Sequence, residues 1–247
     1  MTFIAFGNHT VRNLLYSPYF RFKKIVLCEK YRQDRELLKI LASKKVPVSW
    51  LDKGSFTRRY SLDKKTQGIV VFIKDYNYIS LSNLLTRRPR RNFPLIIMLD
   101  SIEDPHNFGA ILRTAAALDI DGIIIAKRNQ VPVNNTVIKI STGGAAYIPV
   151  CQENNLGKVI EKLKEQGYKI IATICDPQAQ KYHQLKFDAP TCLILGSEHK
   201  GVSPNLIKKS NQTVYIPMSN NITSLNVSVS CGIILSKLLL TNEENKA

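Results

Sequence analysis

Asp104-Pro105-His106-Asn107-Phe108-Gly109-Ala110-Ile111-Leu112-Arg113-Thr114-Ala115 is the stretch on which the reading of this chain turns. The short apolar run Leu95 to Leu99 precedes it and reads as a buried strand. From Gly109 to Leu118, the apolar residues Ile111, Leu112, Ala115 and Leu118 share one side of a helix. A strand leading through a polar corner into a helix puts that corner at the carboxyl end of a sheet, where α/β domains hold ligands. Two further corners lie far downstream, Leu195-Gly196-Ser197-Glu198-His199-Lys200-Gly201 and Ser224-Leu225-Asn226-Val227-Ser228-Val229-Ser230. Each begins where a strand should end.

Outward from these corners the chain alternates. Strands are expected at Gly122 to Ala126, Tyr147 to Val150, Lys169 to Ile174, Thr191 to Leu195 and Val214 to Ile216. Helices are expected at Thr136 to Ile140, Leu156 to Gln166, Pro204 to Lys209 and Val227 to Leu240. Gly167 suits a helix C-terminus and Pro204 a first turn. This alternation predicts an α/β domain with a mostly parallel sheet covered by helices on both faces.

Upstream stands a smaller α/β unit. It has a helix around Val11 to Leu15, strands at Ile25 to Cys28, Val46 to Trp50 and Gly68 to Ile73, and a helix within Arg32 to Ser43. Asp52 to Tyr60 reads as a short helix or loop carrying Arg58 and Arg59. Ser80 to Phe93 contains Arg87-Arg88-Pro89-Arg90-Arg91, whose proline and like charges argue against a buried element. It reads as a solvated linker, as a phosphate-contacting tether, or as both. The expected domains are therefore residues 1–79, a basic connection 80–93, and residues 94–247.

The 247 residues carry a net charge of +16. Residues 1–91 hold 20 Lys and Arg against 6 Asp and Glu, so most of the excess lies in the first third. A basic module joined to a near-neutral one points to a polyanion-gripping part and a chemical part. Arg58, Arg59, Arg87, Arg88, Arg90 and Arg91 are the candidate nucleic-acid contacts. No apolar run approaches the roughly 18 residues of a membrane span. Met1 to His9 lacks the pattern of a secretory signal, so a soluble, cytoplasmic protein is expected. The five cysteines are scattered without a Cys-x-x-Cys pair, which suits reduced thiols in apolar surroundings. The four histidines lack metal-ligand spacing, so no metal is expected; His106 and His199 read as loop formers. Neither a Gly-x-Gly-x-x-Gly nor a P-loop is present.

Residue chemistry at the three corners leaves two readings. Asn107 and Asn226 are reasonable N-caps, Glu198 suits a first-turn dipole, and Arg113 is a plausible surface residue of its helix. Alternatively Asn107 and Arg113 both face the strand-end crevice, with Glu198 between Gly196 and Gly201 where backbone can approach a ligand closely. The coincidence of all three corners favours a site.

The three segments together resemble motifs one, two and three of the SpoU/TrmH family, RNA ribose 2′-O-methyltransferases of the knotted SPOUT class. The likeness runs from about Leu95 to Leu240. Ala5-Phe6-Gly7-Asn8-His9 and Gln67-Gly68-Ile69-Val70 are similar to the L30e-like substrate-binding domain of the 23S rRNA guanosine-2′-O-methyltransferases, with Thr66 where that domain often has His. The resemblance implies a trefoil knot, S-adenosyl-L-methionine as cofactor, and a homodimer packed with helices such as Val227 to Leu240. It implies Arg113 as the central catalytic residue, assisted by Glu198, Asn107, Ser224 and Asn226. Gly196, Ile216 and Leu225, with Met218 beside them, match the cofactor-binding positions. Because a guanidinium stays charged in proteins, Arg113 is expected to clamp phosphate and stabilise developing alkoxide. The implied substrate is large-subunit rRNA. The alternatives are tRNA as substrate, or a non-catalytic RNA-binding or ribosome-assembly factor.

Overall fold

The computed structural model describes residues 3–60, 66–198, 200–219 and 221–244, without the side chains of 240–244. His199 lies outside the described residues.

The first unit contains β1 (Phe3–Phe6), α1 (Asn8–Tyr16), β2 (Phe20–Cys28), α2 (Arg35–Ser43), β3 (Val48–Leu51), α3 (Lys53–Tyr60) and β4 (Ile69–Tyr76). Its four strands run in the order β1-β4-β2-β3. β4 is antiparallel to β1 and β2, while β2 and β3 are parallel. In α2, Leu37, Ile40 and Leu41 are buried, as their helical period requires, and Asp34 caps the helix by accepting from the Leu37 amide at 3.0 Å. β2 starts well before Ile25 because its first half alternates Phe20 and Phe22 with Arg21 and Lys23, and so carries no continuous apolar run.

The connection is not a free tether. Residues Leu81–Leu85 form α4, whose Ser80 cap accepts from the Asn83 amide and whose Leu81 and Leu84 are buried. Arg90 and Arg91 bind the end of the helix that follows the first corner. Arg90 pairs with Asp119 at 2.5 Å and its own amide donates to Asp121 at 2.8 Å. Arg91 donates to the carbonyls of Leu118 and Asp119 at 2.8 and 3.2 Å. Cations at a helix C-terminus satisfy orphan carbonyls and oppose the helix dipole. Residues 86–90 are exposed, as a solvated basic connection requires, while the apolar Leu81 and Leu84 anchor its start and helix capping engages its end.

The second unit contains β5 (Leu95–Asp100), α5 (Pro105–Ala117), β6 (Gly122–Ala126), α6 (Asn135–Ile140), β7 (Val150–Glu153), α7 (Leu156–Glu165), β8 (Lys169–Thr173), β9 (Gln180–Lys181), β10 (Thr191–Gly196), α8 (Pro204–Lys209), β11 (Gln212–Tyr215) and α9 (Val227–Glu244). Among the described residues its sheet has seven strands, ordered β7-β6-β5-β10-β8-β11-β9. Every ladder in it is parallel. Alternate residues of β5 feed opposite faces: Leu95, Ile97 and Leu99 join a core under α5 and α9, while Ile96 and Met98 join one under α7 and α8. Each such fully buried aliphatic contributes about 1.5–3 kcal/mol. The strand expected at Tyr147 to Val150 begins only at Val150. Gly143, at φ +92, starts a short 3-10 turn that carries Tyr147 out to 48% exposure.

The two units are locked together. Both sheets feed one continuous apolar cluster. The Tyr76 hydroxyl donates to the Ile148 carbonyl at 3.3 Å and accepts from the Val150 amide at 3.2 Å. The Ile4 amide donates to Asn135 Oδ1 at 2.8 Å.

Candidate active site

A crevice of about 430 Å³ opens where β8, β10 and β11 end. Its size lies in the range of small-molecule sites. Apolar walls come from Leu195, Val202, Ile216, Leu225 and Val227, and polar atoms from Glu198, Thr223 and Ser224. The four positions expected to bind a cofactor, Gly196, Ile216, Met218 and Leu225, all line it, as do Glu198 and Ser224.

Gly196 is what lets this crevice close. A Cβ there would lie 2.0 Å from the Gly201 carbonyl carbon and 2.1 Å from the Val202 nitrogen. The loop folds back tightly because the Gly201 amide donates to the Ser197 carbonyl at 2.8 Å, with Gly201 at φ +65. Asp100 anchors its far end. This buried carboxylate at the tip of β5 accepts from the Ser203 amide at 2.8 Å. Sequence reasoning missed Asp100, although an acid ending an otherwise apolar strand was a usable signal.

Three side chains tie the three corners together. Asn107 Nδ2 donates to Glu198 Oε1, and Asn107 Oδ1 accepts from Asn226 Nδ2 at 2.9 Å. Asn226 also caps α9, its Oδ1 accepting from the Ser228 amide at 2.9 Å. Asn107 is not a cap. Asp104 caps α5 by accepting from the His106 amide at 2.8 Å, which puts His106 and Asn107 inside the first turn. The first-turn position leaves the Asn107 side chain, 7% exposed, free to bridge the other two corners.

Arg113 is not brought to this cluster. Its separation from Asn107 turns it about 240° around the helix axis, so the two do not share a face of α5. Arg113 is exposed and lines a different cleft, with His9, Asn13, Ser141 and Tyr147. Among the described residues it has no hydrogen-bond or ion-pair partner.

Arg58 and Arg59 lie exposed on α3, with the Arg59 guanidinium 5.7 Å from the centre of the Tyr60 ring. Arg87 and Arg88 are also exposed. Cys28, Cys151, Cys192 and Cys231 are buried, but Cys175 is exposed and lines the crevice. The expectation of reduced thiols in apolar surroundings holds for the four buried cysteines and fails at Cys175, which follows the end of β8 beyond the apolar part of that strand. Among the described residues no helix is long and apolar enough to cross a membrane.

A parallel sheet with a closed-loop crevice at its strand ends and a polar bridge at the rim defines a ligand-binding α/β domain, here fused to a basic α/β unit. Comparison with known proteins makes this specific. Residues 94–236 match the model of the SpoU rRNA Methylase family, and residues 4–79 match that of the RNA 2′-O ribose methyltransferase substrate binding domain. An uncharacterised tRNA/rRNA methyltransferase of Mycoplasma genitalium is 38% identical over 82% of this chain and 84% of its own. A Staphylococcus aureus protein assigned to the TrmH family of tRNA/rRNA methyltransferases is 32% identical over 94% of this chain and 93% of its own. The AdoMet-bound rRNA methyltransferase of Sinorhizobium meliloti shares the fold, with a TM-score of 0.78 at 21% identity over 96% of this chain and 86% of its own. The chain belongs to the SpoU rRNA Methylase family and is an RNA methyltransferase.

Proposed function

We propose that the chain methylates a ribose 2′-hydroxyl of RNA, with a guanosine of large-subunit rRNA as target and S-adenosyl-L-methionine as methyl donor. The observation that carries the reading is the Glu198–Asn107–Asn226 bridge at the mouth of the Gly196 crevice. The crevice suits that cofactor: its apolar walls accept an adenosyl group, and the missing Cβ at Gly196 leaves room for the loop backbone to close around it. The cofactor supplies an activated methyl on a sulfonium. The protein has to hold the ribose in line and ease loss of its hydroxyl proton. In this reading Glu198, oriented by Asn107, hydrogen-bonds the hydroxyl, while Ser224 and Asn226 position the sugar.

Arg113 clamps the neighbouring phosphate and stabilises the developing alkoxide. Since Arg113 stands apart from the crevice of its own chain, the reading assigns it to the site of a second copy. A homodimer interface is available on and beside α9, where Val229 is 50% exposed and the preceding loop carries Ile222 at 56%. Residues 1–79 bind substrate, 80–93 connect and 94–247 carry out the chemistry. The knotted threading of the corner loops, the bacterial cytoplasm and the RNA contacts at Arg58, Arg59, Arg87 and Arg88 belong to the same reading. The relatives' names mention tRNA as well as rRNA, which keeps tRNA as the second substrate.

Ribose-methylation mapping of total RNA with and without the protein tests the reaction and identifies the target. Arg113→Lys should lose most turnover and keep cofactor affinity, because a point charge lacks the planar fork. Wild-type turnover in that variant would remove Arg113 from the mechanism.

A further inference from the structure

We propose that the cleft into which Arg113 opens is a subsite for one unpaired nucleotide of the substrate RNA, adjoining the nucleotide that is methylated. The proposal deepens the reading above and rests on it. The cleft has a volume of about 380 Å³ and shares no residue with the crevice. It is built by both units: His9 and Asn13 come from α1, and Arg113, Thr142 and Tyr147 from the methylase unit.

Its chemistry is that of a nucleotide site. Tyr147 presents an aromatic face at 48% exposure, and its backbone is fixed by Arg90, whose Nη2 donates to the Tyr147 carbonyl at 3.1 Å. Unpaired bases stack on such faces. Asn13 Nδ2 and His9 Nε2 lie 3.1 Å apart, forming a polar edge suited to hydrogen bonds with a base. That edge is held against Gly143, where a Cβ would come within 3.2 Å of Asn13 Nδ2. Arg90 is neutralised by Asp119 at 2.5 Å, whereas Arg113 keeps an unpaired charge among the described residues. The cleft therefore offers one net positive charge for one phosphate. It also gives a reason for the two units being locked: a nucleotide held between them is read by both. In the homodimer of the preceding section, Arg113 joins this cleft of one copy to the reaction site of the other.

Tyr147→Trp tests the subsite without requiring catalysis. The natural chain has a single tryptophan, Trp50, on β3, so the wild-type signal serves as the baseline. Short oligoadenylate or oligouridylate should quench the new tryptophan saturably, and adding His9→Ala should weaken that binding about tenfold. Quenching no greater than in wild type would overturn the proposal, as would quenching indifferent to His9→Ala. A lysate protein that protects the cleft from labelling while oligoribonucleotides leave it untouched would also overturn it, by making this a protein-docking surface. In methyl transfer to total RNA, Tyr147→Ala should raise the RNA KM about tenfold with kcat little changed, and Tyr147→Phe should restore it. Calorimetric titration of the wild type with S-adenosyl-L-methionine separates the two failures. Absent cofactor binding ends the reading of the crevice, while the tryptophan signal reports on the cleft alone.

Discussion

Replacing Asn107 with aspartate keeps the shape of the side chain but exchanges its amide donor for an oxygen that faces Glu198. The bond to Glu198 is lost, and the acceptor used by Asn226 is kept. Losing a hydrogen bond to a charged group costs about 1.5–3 kcal/mol. Two carboxylates about 4 Å apart repel by up to about 4 kcal/mol at an effective dielectric constant of 20. Glu198 is exposed, so solvent screening reduces that repulsion to roughly 1 kcal/mol. A net loss of about 3 kcal/mol lowers the Tm by roughly 6–12 °C for a chain of this size. The loss depends on pH. The neighbouring carboxylate raises the folded-state pKa of the new aspartate above its unfolded value, so stability falls as pH rises through that window. Thermal unfolding should find the variant close to wild type near pH 4 and far below it at pH 8. Adding Glu198→Gln returns a donor to the pair and should recover most of the loss without restoring methyl transfer. An unchanged Tm at pH 8, or a double variant no better than the single one, would refute the bridge.

Three other outcomes are expected. Gly196→Ala drives a methyl group into the Gly201–Val202 backbone, so it should abolish cofactor binding by calorimetry and destabilise the fold by about 1–3 kcal/mol. Neutralising Arg58, Arg59, Arg87 and Arg88 should weaken RNA binding and flatten its salt dependence, whereas Arg90→Ala and Arg91→Ala should lower the Tm instead, because those side chains bind the end of α5. A thiol reagent should label the native protein at Cys175 and be slowed by S-adenosyl-L-methionine; burial pushes the thiols of Cys151 and Cys231 up to about 12, which keeps them inert.

The fold was legible where the chain is apolar and periodic. β5, β6, β8, β10 and α7 were read from continuous or 3.6-period patterns that report burial directly. Elements with mixed patterns escaped. β1 is a short edge strand with Ile4 and Phe6 turned outward, β9 has two residues, and α4 was hidden by the arginines that follow it. The crevice was legible because Gly196 and Glu198, at and just past the end of β10, and Ser224 and Leu225, just before α9, lie in segments whose composition marks them. The place of Arg113 was not, since it depends on how helix rotation meets the packing of a second unit. The capping reading of Asn107 fails, because Asp104 takes the cap and proline at the start of the helix leaves Asn107 inside the first turn.

The central position of β10 has a consequence for synthesis. β10 pairs with β5 on one side and β8 on the other, yet it is made long after β5. Until Thr191–Gly196 leaves the ribosome, β5, β6 and β7 can form only part of the sheet with the edge of β5 bare, and β8, whose other neighbour β11 is made later still, has no partner strand. Parallel pairing across such distances is slow and exposes aggregation-prone surface. The nascent chain should therefore depend on holdase protection over the interval between the two strands, and truncation before residue 191 should yield an insoluble product.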